Sequence, residues 1–172
     1  MKKTMTEYEV EQFFLKEDGL FPNSRLPVLV YRQALELPPV LAASYVKRLF
    51  RKNHWSNSWV YGIFQYHHYH SITHEVLGFI KGETRVMLGG PHGVVVQVTK
   101  GDVLIIPAGV AHKNMGKENQ VKCVGAYPEG GDYDINYGKV GERPQSDRNI
   151  AAVPLPAFDP LFGKKGGVTK YW

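Results

Sequence analysis

Between residues 59 and 127 the sequence consists of short runs of β-branched and aromatic residues separated by glycine. Such runs favour extended strands and the glycines between them suit tight turns, so the pattern predicts antiparallel hairpins. The clearest example is TRVMLGGPHGVVVQV, residues 84 to 98, where GGPHG separates two strand-like runs and tolerates positive φ. The chain is therefore predicted to be an all-β protein.

The region before these runs is predicted to combine strands with one helix. Residues 8 to 18 fit either a short helix or a strand, and LPVLVYRQAL, residues 26 to 35, predicts a strand that Pro38 and Pro39 end. From residue 40 to 52, apolar side chains recur near helical spacing between basic ones, which predicts the one substantial helix. These apolar positions are Leu41, Tyr45, Leu49 and Phe50.

The tail from residue 128 to 172 differs in composition, since glycine, proline and aspartate become frequent. Little regular structure is expected there. The aromatic residues are too numerous for a plain linker, so we expect the tail to pack over the domain or over a neighbouring subunit. These residues are Tyr133, Tyr137, Phe158, Phe162, Tyr171 and Trp172.

Length and composition predict a single domain that spans residues 1 to 172. A chain of 172 residues, 43% hydrophobic and 22% charged, can bury a core without disulfides. The single cysteine, Cys123, excludes an intrachain disulfide. Its neighbours Val121 and Val124 predict a buried thiol on a strand.

The same composition gives expectations about location and partners. Lys2 and Lys3 resemble the start of a signal peptide, but no apolar run follows them, so we expect a cytoplasmic protein. No segment approaches the roughly 18 consecutive apolar residues of a membrane helix, so no membrane partner is expected. The net charge is +5, yet the basic residues are scattered, and no nucleic-acid partner is expected either. The densest basic group fits the solvated face of one helix: Lys47, Arg48, Arg51 and Lys52.

Two separated segments carry side chains suited to one metal site. In GIFQYHHYHSITHEVLGFIKG, His68 and His70 project from one face of an extended strand, because side chains alternate along it. Glu75 lies an odd number of positions from His70, so the chain must bend just before Glu75 if its carboxylate is to join them. His112 follows a Pro-x-Gly turn that can redirect the backbone. Imidazole and carboxylate together suit iron, manganese, nickel, zinc or cobalt.

The other histidines are expected outside this site. His67 lies on the opposite face of its strand, and His74 lies on the outer face or at the bend. His92 stands in a glycine-proline turn, and His54 flanks the helix. A zinc motif of the HExxH type beginning at His74 is excluded, because Gly78 occupies the position of its second histidine.

At these residues the chain resembles the cupin superfamily. Its first motif is Gly, five residues, His-x-His, three or four residues, Glu, six residues and Gly. Its second is Gly, five residues, Pro-x-Gly, two residues, His, three residues and Asn. The final Asn is replaced by Gly116, although Asn114 lies close by. The matching residues are Gly62, His68, His70, Glu75 and Gly82 in the first motif, and Gly101, Pro107, Gly109 and His112 in the second.

The resemblance implies a double-stranded β-helix, a conical jelly-roll barrel with a metal inside. The motif core would span residues 62 to 116, with the N-terminal strands and helix in residues 1 to 58. The implied cofactor is a divalent transition metal, Fe, Mn, Ni, Zn or Co. Cupins commonly pair, so a homodimer is expected. The implied metal ligands are His68, His70, Glu75 and His112.

Function is less constrained, because cupins catalyse dioxygenation, decarboxylation, isomerisation or epimerisation, and some only bind ligands. We favour a metal-dependent oxidoreductase of the dioxygenase type that acts on a small polar or anionic metabolite. The alternatives are a metal-anchored module that binds or senses a small ligand, and a cupin isomerase.

Aromatic and basic side chains near the motifs are further candidates. Phe64 and Tyr66 share the face of His68, and Tyr66 is the catalytic candidate, because a phenol beside a metal can hydrogen-bond a substrate or supply a proton. Leu77 and Phe79 share the face of Glu75, where core packing is the commoner role. Three basic residues could attract a carboxylate substrate: Lys81, Arg85 and Lys113.

Overall fold

A computed structural model describes residues 8 to 172 as two antiparallel sheets packed face to face. Its strands are β1 (Val10–Leu15), β2 (Ser24–Tyr31), β3 (Trp55–Tyr61), β4 (Glu75–Lys81), β5 (Glu83–Leu88), β6 (Val94–Thr99), β7 (Val103–Ile106), β8 (His112–Asn114) and β9 (Lys122–Pro128). Its α-helices are α1 (Ala42–Lys52), α2 (Gln145–Ala152) and α3 (Gly167–Tyr171). The larger sheet has the order β1-β2-β7-β4-β9-β3 and the smaller one β6-β5-β8.

The first hydrophobic core lies between the two sheets. Alternate residues of the larger sheet, such as Leu77 and Phe79 of β4, meet residues of the smaller sheet such as Val86 and Val98. All four are at most 1% exposed. The alternation that predicted Leu77 and Phe79 on the face of Glu75 therefore holds, and both serve as core residues.

A second core covers the outer face of the larger sheet. Val76 of β4 and Val124 of β9 pack there against Phe50 of α1 and against Leu161 and Val168 of the tail. Both faces of the central strands β4, β7 and β9 are thus mostly buried. This explains why β7 reads as a continuous apolar run, VLII, with every residue buried.

The all-β prediction is confirmed, and the hairpin predicted around GGPHG is formed by β5 and β6. The ambiguous segment at residues 8 to 18 contains β1. The predicted helix is also present, but Leu41 does not face the core. Leu41 adopts a left-handed conformation before the first turn and is 76% exposed, whereas Val46 supplies the buried contact instead.

The tail is more regular than expected, since α2 and α3 lie within it. The sequence prediction of an irregular tail is therefore wrong in part. Among the described residues, the tail packs on the chain's own domain, as when the Trp172 indole N–H donates to the Pro27 carbonyl at 2.9 Å.

Other expectations have mixed outcomes. Cys123 is buried, as predicted, and burial together with the charge of Glu75 raises the pKa of its thiol. Within residues 8 to 172, no helix has the length and apolar character needed to span a bilayer. The expectation drawn from Lys2 and Lys3 lies outside the described residues.

Candidate metal centre

Backbone pairing brings two predicted ligands together. The His68 N–H donates to the His112 carbonyl at 3.2 Å, and the His112 N–H donates to the His68 carbonyl at 2.9 Å. Residues directly opposed in an antiparallel pair project to the same face, and the two imidazole centroids lie 4.1 Å apart. His70 follows two residues later on that face. Its carbonyl accepts the Gly109 N–H at 2.8 Å, so the Pro-x-Gly turn is fastened to the same segment.

Glu75 completes the cluster from the other sheet. It is the first residue of β4 and follows a bend in residues 71 and 72. Its odd number of positions from His70 had predicted such a bend. Its Oε2 lies 3.4 Å from Nε2 of His70 and 3.3 Å from Nε2 of His112. The structure thus brings all four predicted ligands into one buried cluster, within which the ligand atoms of the three histidines lie inside 4.8 Å of one another.

The three histidine rings are oriented by backbone carbonyls. Nδ1 of His68 faces the Tyr66 carbonyl at 3.1 Å, and Nδ1 of His112 faces the Val110 carbonyl at 3.1 Å. Nδ1 of His70 contacts the carbonyl of Asp134. A carbonyl only accepts, so each Nδ1 carries the proton and each Nε2 presents a lone pair. This is the tautomer in which a histidine binds a metal through Nε2.

Burial and the neighbouring charges shift the pKa values of residues in the cluster. Burial lowers the pKa of His68 to about 3, and His112 adds to that shift. Burial also acts to lower the pKa of His70, but the charge and hydrogen bond of Glu75 outweigh it and raise the pKa. Conversely, burial acts to raise the pKa of Glu75, and His70 and His112 bring it well below its usual range. A carboxylate anion is therefore held inside the domain.

This donor set fits a transition metal. Lone pairs of neutral imidazoles and a carboxylate oxygen converge, and such acceptors repel one another unless a cation lies between them. Imidazole with carboxylate is the combination that iron, manganese, nickel, zinc or cobalt accepts. The four side chains are between 2% and 6% exposed, so little solvent is available to compensate their charge.

Three residues around Glu75 and His70 were not predicted. Tyr127 of β9 donates its phenol proton to Oε1 of Glu75 at 3.2 Å, and Trp59 of β3 donates its indole N–H to the Tyr127 oxygen at 2.8 Å. Asp134 of the tail accepts the Ser71 N–H at 2.7 Å, besides holding His70 through its carbonyl. These contacts depend on strand order and on the path of the tail, which no local pattern encodes.

Tyr66, the predicted catalytic residue, lies at the edge of the cluster. Its ring centroid is 5.7 Å from that of His68, it stacks on Phe64, and it is 43% exposed. Tyr137 of the tail contacts it at 5.6 Å between centroids. The Tyr66 ring thus contacts one predicted ligand and reaches solvent, and its catalytic role stays a prediction.

The remaining histidines lie away from the cluster. His67 turns to the opposite face and packs against Phe21, as predicted. His74 lies on the outer face of the larger sheet, but the tail buries it: its ring is 4.7 Å from that of Trp172. Burial lowers its pKa to about 4, and its Nδ1 accepts the Ala108 N–H at 2.9 Å.

The departure from the second cupin motif also has a structural explanation. Oδ1 of Asn114 accepts the Gly116 N–H at 2.9 Å and the Thr84 hydroxyl at 2.6 Å, so Asn114 organises the turn that follows His112. A Cβ at position 116 would meet the Thr84 hydroxyl at 2.5 Å. An asparagine at position 116 would therefore have to displace the Thr84 and Gln120 side chains.

No family model matches this sequence. YjlB of Bacillus subtilis strain 168, described as an uncharacterized protein, is 38% identical over 167 residues, which cover 96% of this chain and 98% of YjlB. The chain belongs to the YjlB family.

Solved structures resemble this member of the YjlB family at lower identity. Acireductone dioxygenase from Bacillus anthracis, with a cadmium ion in its active center, gives a TM-score of 0.41 at 14% identity, over 55% of this chain and 64% of that chain. Procruciferin, an 11S globulin from Brassica napus, gives a TM-score of 0.37 at 17% identity, and the match covers 66% of this chain and 22% of procruciferin. A mutant of Bacillus subtilis oxalate decarboxylase gives a TM-score of 0.35 at 17% identity, and the match covers 65% of this chain and 23% of that chain. The chain spans less than two thirds of the length of each.

Proposed function

We propose that this protein is a cupin that binds a divalent transition metal and catalyses an oxidoreductase reaction of the dioxygenase type on a small polar or anionic metabolite. The observation that carries the proposal is a buried cluster in which the ligand atoms of three histidines lie within 4.8 Å of one another. Oε2 of Glu75 joins it, 3.4 Å from Nε2 of His70 and 3.3 Å from Nε2 of His112. The ligands would be His68, His70, His112 and Glu75.

The charge of the site supports an anionic substrate. When a metal accepts the three Nε2 lone pairs and each Nδ1 stays protonated, the three imidazoles are neutral, and Glu75 contributes the one negative charge of the four side chains. A divalent cation there supplies a Lewis acid with net positive charge remaining, and a redox-active metal also supplies electrons. Tyr66 at the rim offers a hydroxyl that can bind or protonate the substrate.

The burial of the site favours a second candidate, a metal-anchored module that binds a small ligand. Structural metal sites are closed by four protein ligands, and all four side chains are nearly inaccessible. A closed site would hold a metal without turnover. The two candidates differ in whether the metal accepts a further ligand.

Metal analysis of protein purified without chelators tests the proposal first. We expect about one iron, manganese, nickel, zinc or cobalt per chain in the wild type, and none in His68→Ala or His112→Ala. Oxygen uptake measured with panels of small acids and polyols then separates the candidates. Substrate-dependent uptake supports the oxidoreductase, whereas bound metal without uptake supports the binding module. Absence of metal from the wild type contradicts both.

The expected homodimer remains a prediction, together with the cytoplasmic location and the absence of nucleic-acid and membrane partners. Strands β1 and β3 are the two edges of the larger sheet and offer surfaces for pairing. Light scattering at micromolar concentration measures the oligomeric state.

A further inference from the structure

Glu75 is connected to the edge of the larger sheet by side chains on three neighbouring strands. Glu75, Tyr127 and Trp59 lie on β4, β9 and β3, which are adjacent in the sheet order. The indole nitrogen of Trp59 is 2.8 Å from the Tyr127 oxygen, and that oxygen is 3.2 Å from Oε1 of Glu75. The three side chains therefore form one hydrogen-bonded row.

The direction of this row is fixed by chemistry. An indole N–H can only donate, so the Tyr127 oxygen accepts from Trp59. The Tyr127 proton must then point to the carboxylate, which at neutral pH only accepts. Oε1 of Glu75 is thereby engaged, and Oε2 is the oxygen that faces Nε2 of His70 and of His112.

The packing around the row holds it in place. Gly125 of β9 lies under the Trp59 ring, and a Cβ at that position would come within 2.2 Å of the ring. On the other side, Tyr133 of the tail stacks on Tyr127, with centroids 4.8 Å apart and planes 21° apart. Tyr127 is 1% exposed and Trp59 is partly buried. Neither ring can rotate away without displacing a neighbour.

We propose that Tyr127, supported by Trp59, is a positioning residue that directs Oε2 of Glu75 to the metal. This inference rests on the proposed metal function and adds residues that neither cupin motif contains. Partners that orient metal ligands typically change metal affinity by about 10- to 100-fold when they are removed. Trp59, one hydrogen bond further away, contributes less than Tyr127.

The test combines zinc affinity with NMR of the tryptophan indole protons in full-length, 15N-labelled protein. The chain has three tryptophans, and Trp59→Phe assigns the indole resonance of Trp59. In the wild type, we expect this resonance to shift as zinc binds, because the cation draws electron density from the Glu75 carboxylate and the hydrogen bonds of Tyr127 transmit that change. In Tyr127→Phe, zinc affinity should fall by about 10-fold or more, and the Trp59 resonance should no longer respond.

Tyr133→Phe is the matched control, since it removes a phenol from the same stack but leaves the row intact. We expect it to retain wild-type zinc affinity and the zinc-dependent shift. A Gly125→Ala variant, which displaces the Trp59 ring, should resemble Trp59→Phe with a smaller loss of affinity.

The outcomes separate this inference from the function on which it rests. If the wild type binds none of iron, manganese, nickel, zinc and cobalt, the metal function fails, and the positioning role fails with it. If the wild type binds metal and Tyr127→Phe binds it equally well, only the positioning role is wrong. A loss of affinity in Tyr133→Phe as large as in Tyr127→Phe would also overturn it, since ring packing would then explain both.

Discussion

Glu75 and Asp159 are both buried carboxylates, but their surroundings differ. Asp159 lies in the tail beside the outer core and is fully buried. It accepts the Tyr31 hydroxyl at 2.6 Å and the backbone N–H groups of Leu161, Phe162 and Val168 at 2.9 to 3.1 Å. Glu75, by contrast, receives the hydroxyl of Tyr127 and otherwise faces the Nε2 atoms of two histidines.

This difference distinguishes a structural carboxylate from one suited to a cation. Every donor around Asp159 is an N–H or O–H, so the protein itself satisfies the charge. Around Glu75 the neighbouring ring nitrogens present lone pairs in the tautomer that the carbonyls select. A buried anion in that setting is stabilised either by a metal or by protonation of a histidine. The site around Asp159, the tail centre, is thus complete, whereas the site around Glu75, the inner centre, still needs a metal or a protonated histidine.

The largest effect on stability is expected from Asp159→Ala. The substitution leaves three backbone N–H groups, two of them fully buried, and the Tyr31 hydroxyl without their acceptor, and each such loss costs about 1–3 kcal/mol. We expect the free energy of unfolding, measured in urea, to fall by about 4 kcal/mol or more, with zinc affinity unchanged. Asp159→Asn, which keeps one oxygen acceptor, should lose less. A large drop in zinc affinity would show that the two centres are coupled.

Glu75→Gln should have the opposite effect, a loss of metal affinity rather than of stability in the absence of metal. Glutamine retains an oxygen for the Tyr127 hydroxyl but removes the charge, so metal affinity should fall beyond the roughly 100-fold that loss of an outer partner causes. At a metal concentration of 100 times its Kd, the wild type gains about 2.7 kcal/mol of stability, and the variant should gain almost none. Thermal unfolding with and without metal measures both. An unchanged gain would mean that Glu75 is not a ligand.

Asp134 belongs to the tail and also touches the inner centre, so its replacement tests how separate the two regions are. Asp134→Ala removes the acceptor for the Ser71 N–H and for the Asn136 amide at 2.7 Å, while the backbone carbonyl that holds His70 remains. We expect about 1–3 kcal/mol lower stability and a loss of metal affinity below about 10-fold. Asp134→Asn is the control that preserves one acceptor oxygen. A larger effect on metal than on stability would assign Asp134 to the inner centre.

The sequence predicts the features that local rules determine, and it misses those that depend on contacts between distant segments. The common face of His68 and His70 and the bend before Glu75 were predictable, because the alternation of side chains along a strand is a local rule. The hairpin around GGPHG was predictable for the same reason. Tyr127 and Trp59 were not, because their contacts depend on β9 lying between β4 and β3. The contacting residues are 52 and 68 positions apart in the chain.

The tail was the least predictable region. Helix α2 is polar, with Ser146 its one buried residue, so its sequence lacks the apolar stripe that indicates a helix. Asp159 stands among prolines, glycine and aromatics, where an aspartate usually indicates a solvated turn. Its burial follows from long-range packing against Tyr31, 128 positions earlier in the chain.

The smallest expected effect concerns the hydroxyl of Tyr31, which links the tail centre to β2. Burial and the charge of Asp159 raise the pKa of Tyr31, so its phenol stays protonated in the folded protein at alkaline pH. The unfolded chain releases that proton above a pH of about 10, and stability is therefore lost as the pH rises beyond this value. Tyr31→Phe should lower stability at neutral pH by about 1–2 kcal/mol and should reduce the alkaline loss by up to about 1.4 kcal/mol per pH unit. Urea unfolding between neutral and strongly alkaline pH measures both, and an identical alkaline slope in the variant would show that Asp159 does not hold this phenol in its protonated form.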